Sequence, residues 1–140
     1  MAAAADLPEP DRIEGAPHPR ETLRLFGHDD AEHAFLNAFL SGRLHHGWLI
    51  TGPKGVGKAT LAWRIARFLL ATPPVDGGMF AAPPPETMDT PADTPVARRM
   101  LQLAEPRLFL LRRGPNDKET ALSADLRVDE VRKMKSFFAL

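Results

Sequence analysis

The residues with the plainest chemical meaning are Gly52-Pro53-Lys54-Gly55-Val56-Gly57-Lys58-Ala59-Thr60. They fit the phosphate-binding pattern G-x-x-x-x-G-K-[ST] at Gly52, Gly57 and Lys58 and break it at the last position, where Ala59 stands for Ser or Thr. In such a loop the backbone N–H groups of a glycine-rich turn face inward and meet a helix N-terminus, so both offer partial positive charge to phosphate oxygens. Gly55 and Gly57 permit the tight bend without a Cβ clash. Lys58 adds a full charge able to reach the β- and γ-phosphates. Binding chemistry is therefore present.

Turnover chemistry is thinner. Hydrolysis of a nucleotide uses Mg²⁺ held by the loop hydroxyl and by a carboxylate from a later strand. Ala59 has no hydroxyl, and Thr60 is rotated about 100° around the helix from it. No apolar run after Thr60 ends in an acid, and Asp117, Asp125 and Asp129 lie in polar loops or at a helix start. The loop thus reads as a weak ATP site with Mg²⁺ disfavoured, or as a vestigial turn that binds nothing. No catalytic residue and no metal ligand is assigned.

The elements that must position the loop follow from patterning. A strand is expected at Trp48-Leu49-Ile50-Thr51, a short apolar run between Gly47 and Gly52. A helix is expected from Lys58 to Leu70 with Leu61, Ile65, Phe68 and Leu69 as its buried stripe. An earlier helix spans about 30–40, capped by Asp29 or Asp30 and ended by Ser41-Gly42. A short helix is expected near Val96–Ala104, a second buried strand at Leu108–Leu111, a polar loop at 112–123, and a last helix near Asp129 with Val131, Met134 and Phe138 on one face. Strand, glycine loop and helix in that order predict an α/β fold, a P-loop NTPase core with a partial parallel sheet flanked by helices.

Composition bounds the rest. The 140 residues contain 44% hydrophobic side chains, as expected of one globular domain, and no cysteine. That rules out a disulfide framework, a Cys-type zinc site and thiol catalysis, and no zinc is expected. Net charge is zero, with 8 basic and 12 acidic residues through position 97 and 10 basic and 6 acidic after it. The asymmetry is too mild for a DNA-gripping face. No apolar run approaches the roughly 20 residues of a membrane span, and Met1–Asp6 lacks the pattern of a signal peptide, so a cytoplasmic protein without a membrane partner is expected. Residues 1–22, with Pro8, Pro10, Pro17 and Pro19, read as a flexible arm. Residues 73–95, with seven prolines, read as an insertion without regular structure.

The stretch Leu25-Phe26-Gly27-His28, the helix to Leu40, and Ser41-Gly42-Arg43-Leu44-His45-His46-Gly47 leading into the glycine loop resembles the start of a bacterial clamp-loader AAA+ subunit. Gly-Lys-Ala-Thr at 57–60, Glu105-Pro106-Arg107-Leu108 and Leu126–Arg132 resemble the delta-prime branch of the DNA polymerase III family. The resemblance covers roughly residues 20–140 and makes 23–140 a partial AAA+ nucleotide-binding domain. It implies an architectural subunit without intrinsic catalysis, belonging to a nucleotidyltransferase holoenzyme. The implied partners are the other clamp-loader subunits (gamma/tau and delta) in a hetero-oligomeric ring, with the sliding clamp and primer-template DNA engaged indirectly. It also implies that an arginine finger and an acidic strand lie beyond Leu140. His45 and His46 are expected to pack at the helix-to-strand junction, and Arg43 to sit near the nucleotide or at a subunit interface. The alternative is an active clamp-loader ATPase of the gamma/tau type.

Overall fold

A computed structural model describes residues 7–75 and 77–139. Four α-helices form among them: α1 (Asp29–Leu40), α2 (Lys58–Ala71), α3 (Pro95–Leu101) and α4 (Val128–Phe138). The expected α/β architecture is overturned. Among the described residues there is no strand, only an isolated antiparallel bridge between Pro115 and Leu122. Neither 48–51 nor 108–111 forms a ladder, and Leu49, expected inside a sheet, is 89% exposed. The reason is physical. An apolar run supplies only one side of a strand, and the other side is a neighbour whose N–H and C=O groups match it in register.

The chain divides into two compact units, Pro19–Glu105 and the N-terminal segment through His18 joined with Pro106 onward. In Pro19–Glu105, α1 and α2 build the core. Phe35, Leu36, Leu61, Phe68 and Met88 are buried together, with Leu25, Phe39, Leu44, Ile50, Ile65 and Leu69 packed around them. The Phe68 ring meets Phe39 edge-on at 4.9 Å between centroids and Phe35 at 6.5 Å, and Phe35 lies 5.0 Å from Trp48. Such tilted pairs suit the aromatic quadrupole.

α2 starts at Lys58 as expected, but it is buried on two sides. Besides the Leu61–Phe68 stripe, Trp63, Arg64 and Arg67 are buried, and the helix also packs against α3 and the 3-10 turn Pro19–Glu21. α3 contributes Val96, Ala97 and Met100 to the buried set. It begins with Pro95 after an N-cap Thr94, whose hydroxyl accepts the Ala97 N–H at 3.2 Å. It stops at Leu101, short of the expected Ala104, where Leu103 takes a left-handed φ of 54°.

Arg64 ties three segments of this unit together. Its guanidinium donates to Glu32 of α1, to the Leu23 carbonyl and to Asp89. Arg67 is 3% exposed, and its Nη2 donates to the Arg20 carbonyl at 2.9 Å. Burial, and then the neighbouring Arg64 charge, push the Arg67 guanidinium below its ordinary pKa. The proline-rich stretch forms no helix or strand among its described residues before α3 begins at Pro95, yet Met88 is 3% exposed and Asp89 bonds Arg64.

The other unit is held by charge more than by apolar contact. Arg112 donates to Asp11 at 2.9 Å and to Glu9 at 3.4 Å. Arg113 reaches the Pro10 carbonyl at 3.3 Å. His18 is fully buried and lies 3.0 Å from Asp11. Burial raises the Asp11 pKa, but His18 beside it and the hydrogen-bonded, charged Arg112 outweigh this and leave the carboxyl below its ordinary value. Around the Pro115–Leu122 bridge, Asn116 N–H meets the Ala121 carbonyl at 2.8 Å and Ser123 N–H meets the Gly114 carbonyl at 2.8 Å. α4 has no buried residue, and Val128 and Phe138 are exposed on it, Phe138 on its expected apolar face.

Candidate phosphate-binding loop

The loop 52–57 leads directly into α2, and three glycines shape it. Gly52, Gly55 and Gly57 have φ of 153°, 81° and 105°, a region that L side chains enter only at a cost. Gly57 is the N-cap of α2, so no side chain caps that helix. A cap would have consumed first-turn N–H groups, which otherwise remain as donors. A side chain at Gly57 would also press on its surroundings, whereas one at Gly52 would meet only ordinary contact distances. A Cβ on Gly57 would stand 2.9 Å from Leu25 Cδ1, and one on Gly52 would stand 3.4 Å from Val56 Cγ1. Gly55 has nothing within 4 Å of that position, leaving its backbone open to approach.

Lys58 folds back over the loop. Its Nζ donates to the Gly52 carbonyl at 2.8 Å and to the Pro53 carbonyl at 2.6 Å. The ammonium is thereby kept at the loop rather than in bulk solvent. Lys54, Val56 and Ala59 are exposed, whereas Thr60 lies one position along α2. Of the nine residues singled out in sequence, Gly52, Pro53 and Lys58 are drawn together by hydrogen bonds, and the rest follow the course of the loop into the helix. This donor set fits a polyphosphate: uncapped helix N–H groups, open glycine backbone and one lysine. It fits Mg²⁺ less well, because Ala59 offers no oxygen where the loop ligand belongs. Among the described residues no group of three or more His, Cys, Asp or Glu side chains converges as a metal site would.

His28 joins the site although nothing in its sequence context gives it a role there. It stands at the N-cap of α1 where Asp29 or Asp30 was expected, and its side chain makes no cap bond. Instead its Nε2 lies 2.6 Å from the Val56 carbonyl of the glycine loop. A separation of 28 residues leaves no spacing signal that could have linked the two. Gly27, at φ 76°, turns the chain just before it. His45 and Arg43 serve the junction after α1 locally. The His45 carbonyl accepts the Trp48 indole N–H at 3.2 Å, and the Arg43 backbone N–H meets Ser41 Oγ at 3.3 Å. Among the described residues, no helix is long and apolar enough to cross a membrane.

No family model matches the chain, and no solved structure matches it. Part of the chain is similar to DNA polymerase III subunit gamma of Buchnera aphidicola subsp. Schizaphis graminum (strain Sg), 39% identical over 51 residues. The matched stretch is 36% of this chain and 14% of that relative. The similarity supports the coarser part of the resemblance, a relationship to DNA polymerase III subunits of the clamp-loader kind. It does not separate a delta-prime type from a gamma/tau type.

Proposed function

We propose that the chain is a clamp-loader subunit of the delta-prime type. In this role it contributes architecture to a hetero-oligomeric ring with gamma/tau and delta subunits that places the sliding clamp on primed DNA in the cytoplasm. Its glycine loop takes the phosphates of ATP weakly and does not turn the nucleotide over. The observation that carries the reading is Ala59 in the first turn of α2, beside a Lys58 already gathered onto the loop. The cradle and its cation are retained, and the Mg²⁺ hydroxyl is not. Binding without hydrolysis is the chemistry that combination supports, since phosphoryl transfer depends on the metal to neutralise charge as it develops.

The test is ATP hydrolysis by the full chain with and without Mg²⁺, beside equilibrium binding of labelled ATP. Weak binding that is lost in Lys58→Ala, with negligible turnover in both wild type and Ala59→Thr, is the expected result. Mg²⁺-dependent turnover of ~1 s⁻¹, the low end of the range for kinases, would sink the reading. It would favour the second one, an active gamma/tau-like ATPase, to which the local similarity with a gamma subunit gives its support.

A further inference from the structure

The chemistry of a glycine loop depends on which way each peptide plane faces. In a trans peptide the C=O and the following N–H point in opposite directions, and there is no cis bond among the described residues. Fixing the Val56 carbonyl on one side of the loop therefore aims the Gly57 N–H at the other. Glycines with positive φ on both sides of Val56 make this plane easy to turn over. A turned plane would direct a carbonyl dipole, rather than an N–H, toward an approaching anion.

We propose that His28 is the positioning residue that prevents this reversal. Its Nε2–H donates to the Val56 carbonyl, 2.6 Å away, and so keeps the Gly57 N–H among the loop's inward donors. Two further contacts make the brace stiff. Leu25 Cδ1 closes the space beside Gly57, and Glu32, one turn into the helix that follows His28, is paired with the buried Arg64 of α2. The helix bearing the brace is thus fastened to the helix that the loop starts. Because a carbonyl only accepts, the ring must carry a proton on Nε2 to make this contact.

The inference rests on the loop's being a phosphate site, and the experiment separates the two. The probe is ATP without Mg²⁺, titrated into the full chain as wild type, His28→Gln, His28→Leu and Lys58→Ala. The glutamine substitution keeps a side-chain N–H donor, whereas the leucine substitution keeps bulk and loses the donor. His28→Gln is expected to bind as wild type does, and His28→Leu about five- to tenfold more weakly, the effect of one hydrogen bond. ¹⁵N-histidine NMR of the wild type, which does not depend on any variant folding, is expected to show His28 carrying a proton on Nε2. Wild-type affinity in His28→Leu, failure of His28→Gln to rescue, or an Nδ1–H tautomer would overturn the brace while the phosphate site stands. Absence of binding in the wild type, with Lys58→Ala no different, would overturn both.

Discussion

α2 and α4 begin from the same kind of sequence and end in opposite circumstances. Each shows apolar residues at helical spacing, each starts close to where patterning places it, and each is a helix of three to four turns. α2 buries Leu61, Trp63, Arg64, Arg67 and Phe68, whereas α4 buries nothing. Around α2, an aromatic cluster from α1 and Met88 from the proline-rich stretch close over the apolar stripe, and Arg64 fastens the surrounding segments by ion pairs. Around α4 the contacts are lighter. Phe137 meets Phe109 at 5.5 Å, and Lys133 pairs with Glu130 within the helix. Periodicity tells where a helix forms and which face is apolar, but not whether anything covers that face.

The comparison breaks or holds first on its aromatic residues. Phe68→Ala, which empties a site only 1% exposed, is expected to cost about 3–5 kcal/mol. Phe138→Ala, at a position 73% exposed, should change stability by less than about 0.5 kcal/mol. Urea denaturation of the two variants decides it, and equal losses would erase the distinction between the helices.

Charge gives the next largest contrast. Arg64→Met removes a buried guanidinium and leaves Glu32 poorly solvated, with an expected loss of about 2–3 kcal/mol. That figure gives little weight to the exposed Asp89 partner. Lys133→Ala breaks an ion pair on the surface of α4 and should cost under about 0.5 kcal/mol. If the midpoints shift equally, Arg64 is not the fastening that its partners imply.

The smallest effect is a pH dependence confined to the unit that contains α4. Asp11 titrates below its ordinary value when folded, so the unfolded chain binds its proton first as the pH drops. Its contribution is complete above the unfolded carboxylate pKa of about 3.9 and is lost as pH falls through the lower folded value. Asp11→Asn should flatten the stability profile on that acid side only. A wild-type slope retained in Asp11→Asn would show that another carboxylate is responsible.

Much of the candidate site was legible because its information is local. The glycines, Lys58 and Ala59 are neighbours, and a glycine loop running into a helix is set by φ preferences and by the helix N-terminus. The helix positions were legible for the same reason, through spacing and through stops such as Ser41-Gly42, whose N–H groups close on the Asn37 and Phe39 carbonyls. What was not legible depended on distant pairs. His28 on Val56, Arg64 on Asp89, Met88 in the core and His18 on Asp11 join residues with no spacing rule between them. The expected strands failed for a related reason, since a ladder belongs to two segments and the pattern describes one.

The sequence by itself determined the glycine-rich run 52–57, the lack of a side-chain hydroxyl at Ala59 and the approximate run of four helices. All of these follow from residue type and near-neighbour geometry. Only the tertiary structure decided that the apolar runs 48–51 and 108–111 stay unladdered, that α2 is covered and α4 is not, and that His28 faces the loop. Burial and pairing are properties of what comes to lie against a segment, and no segment encodes its neighbours alone.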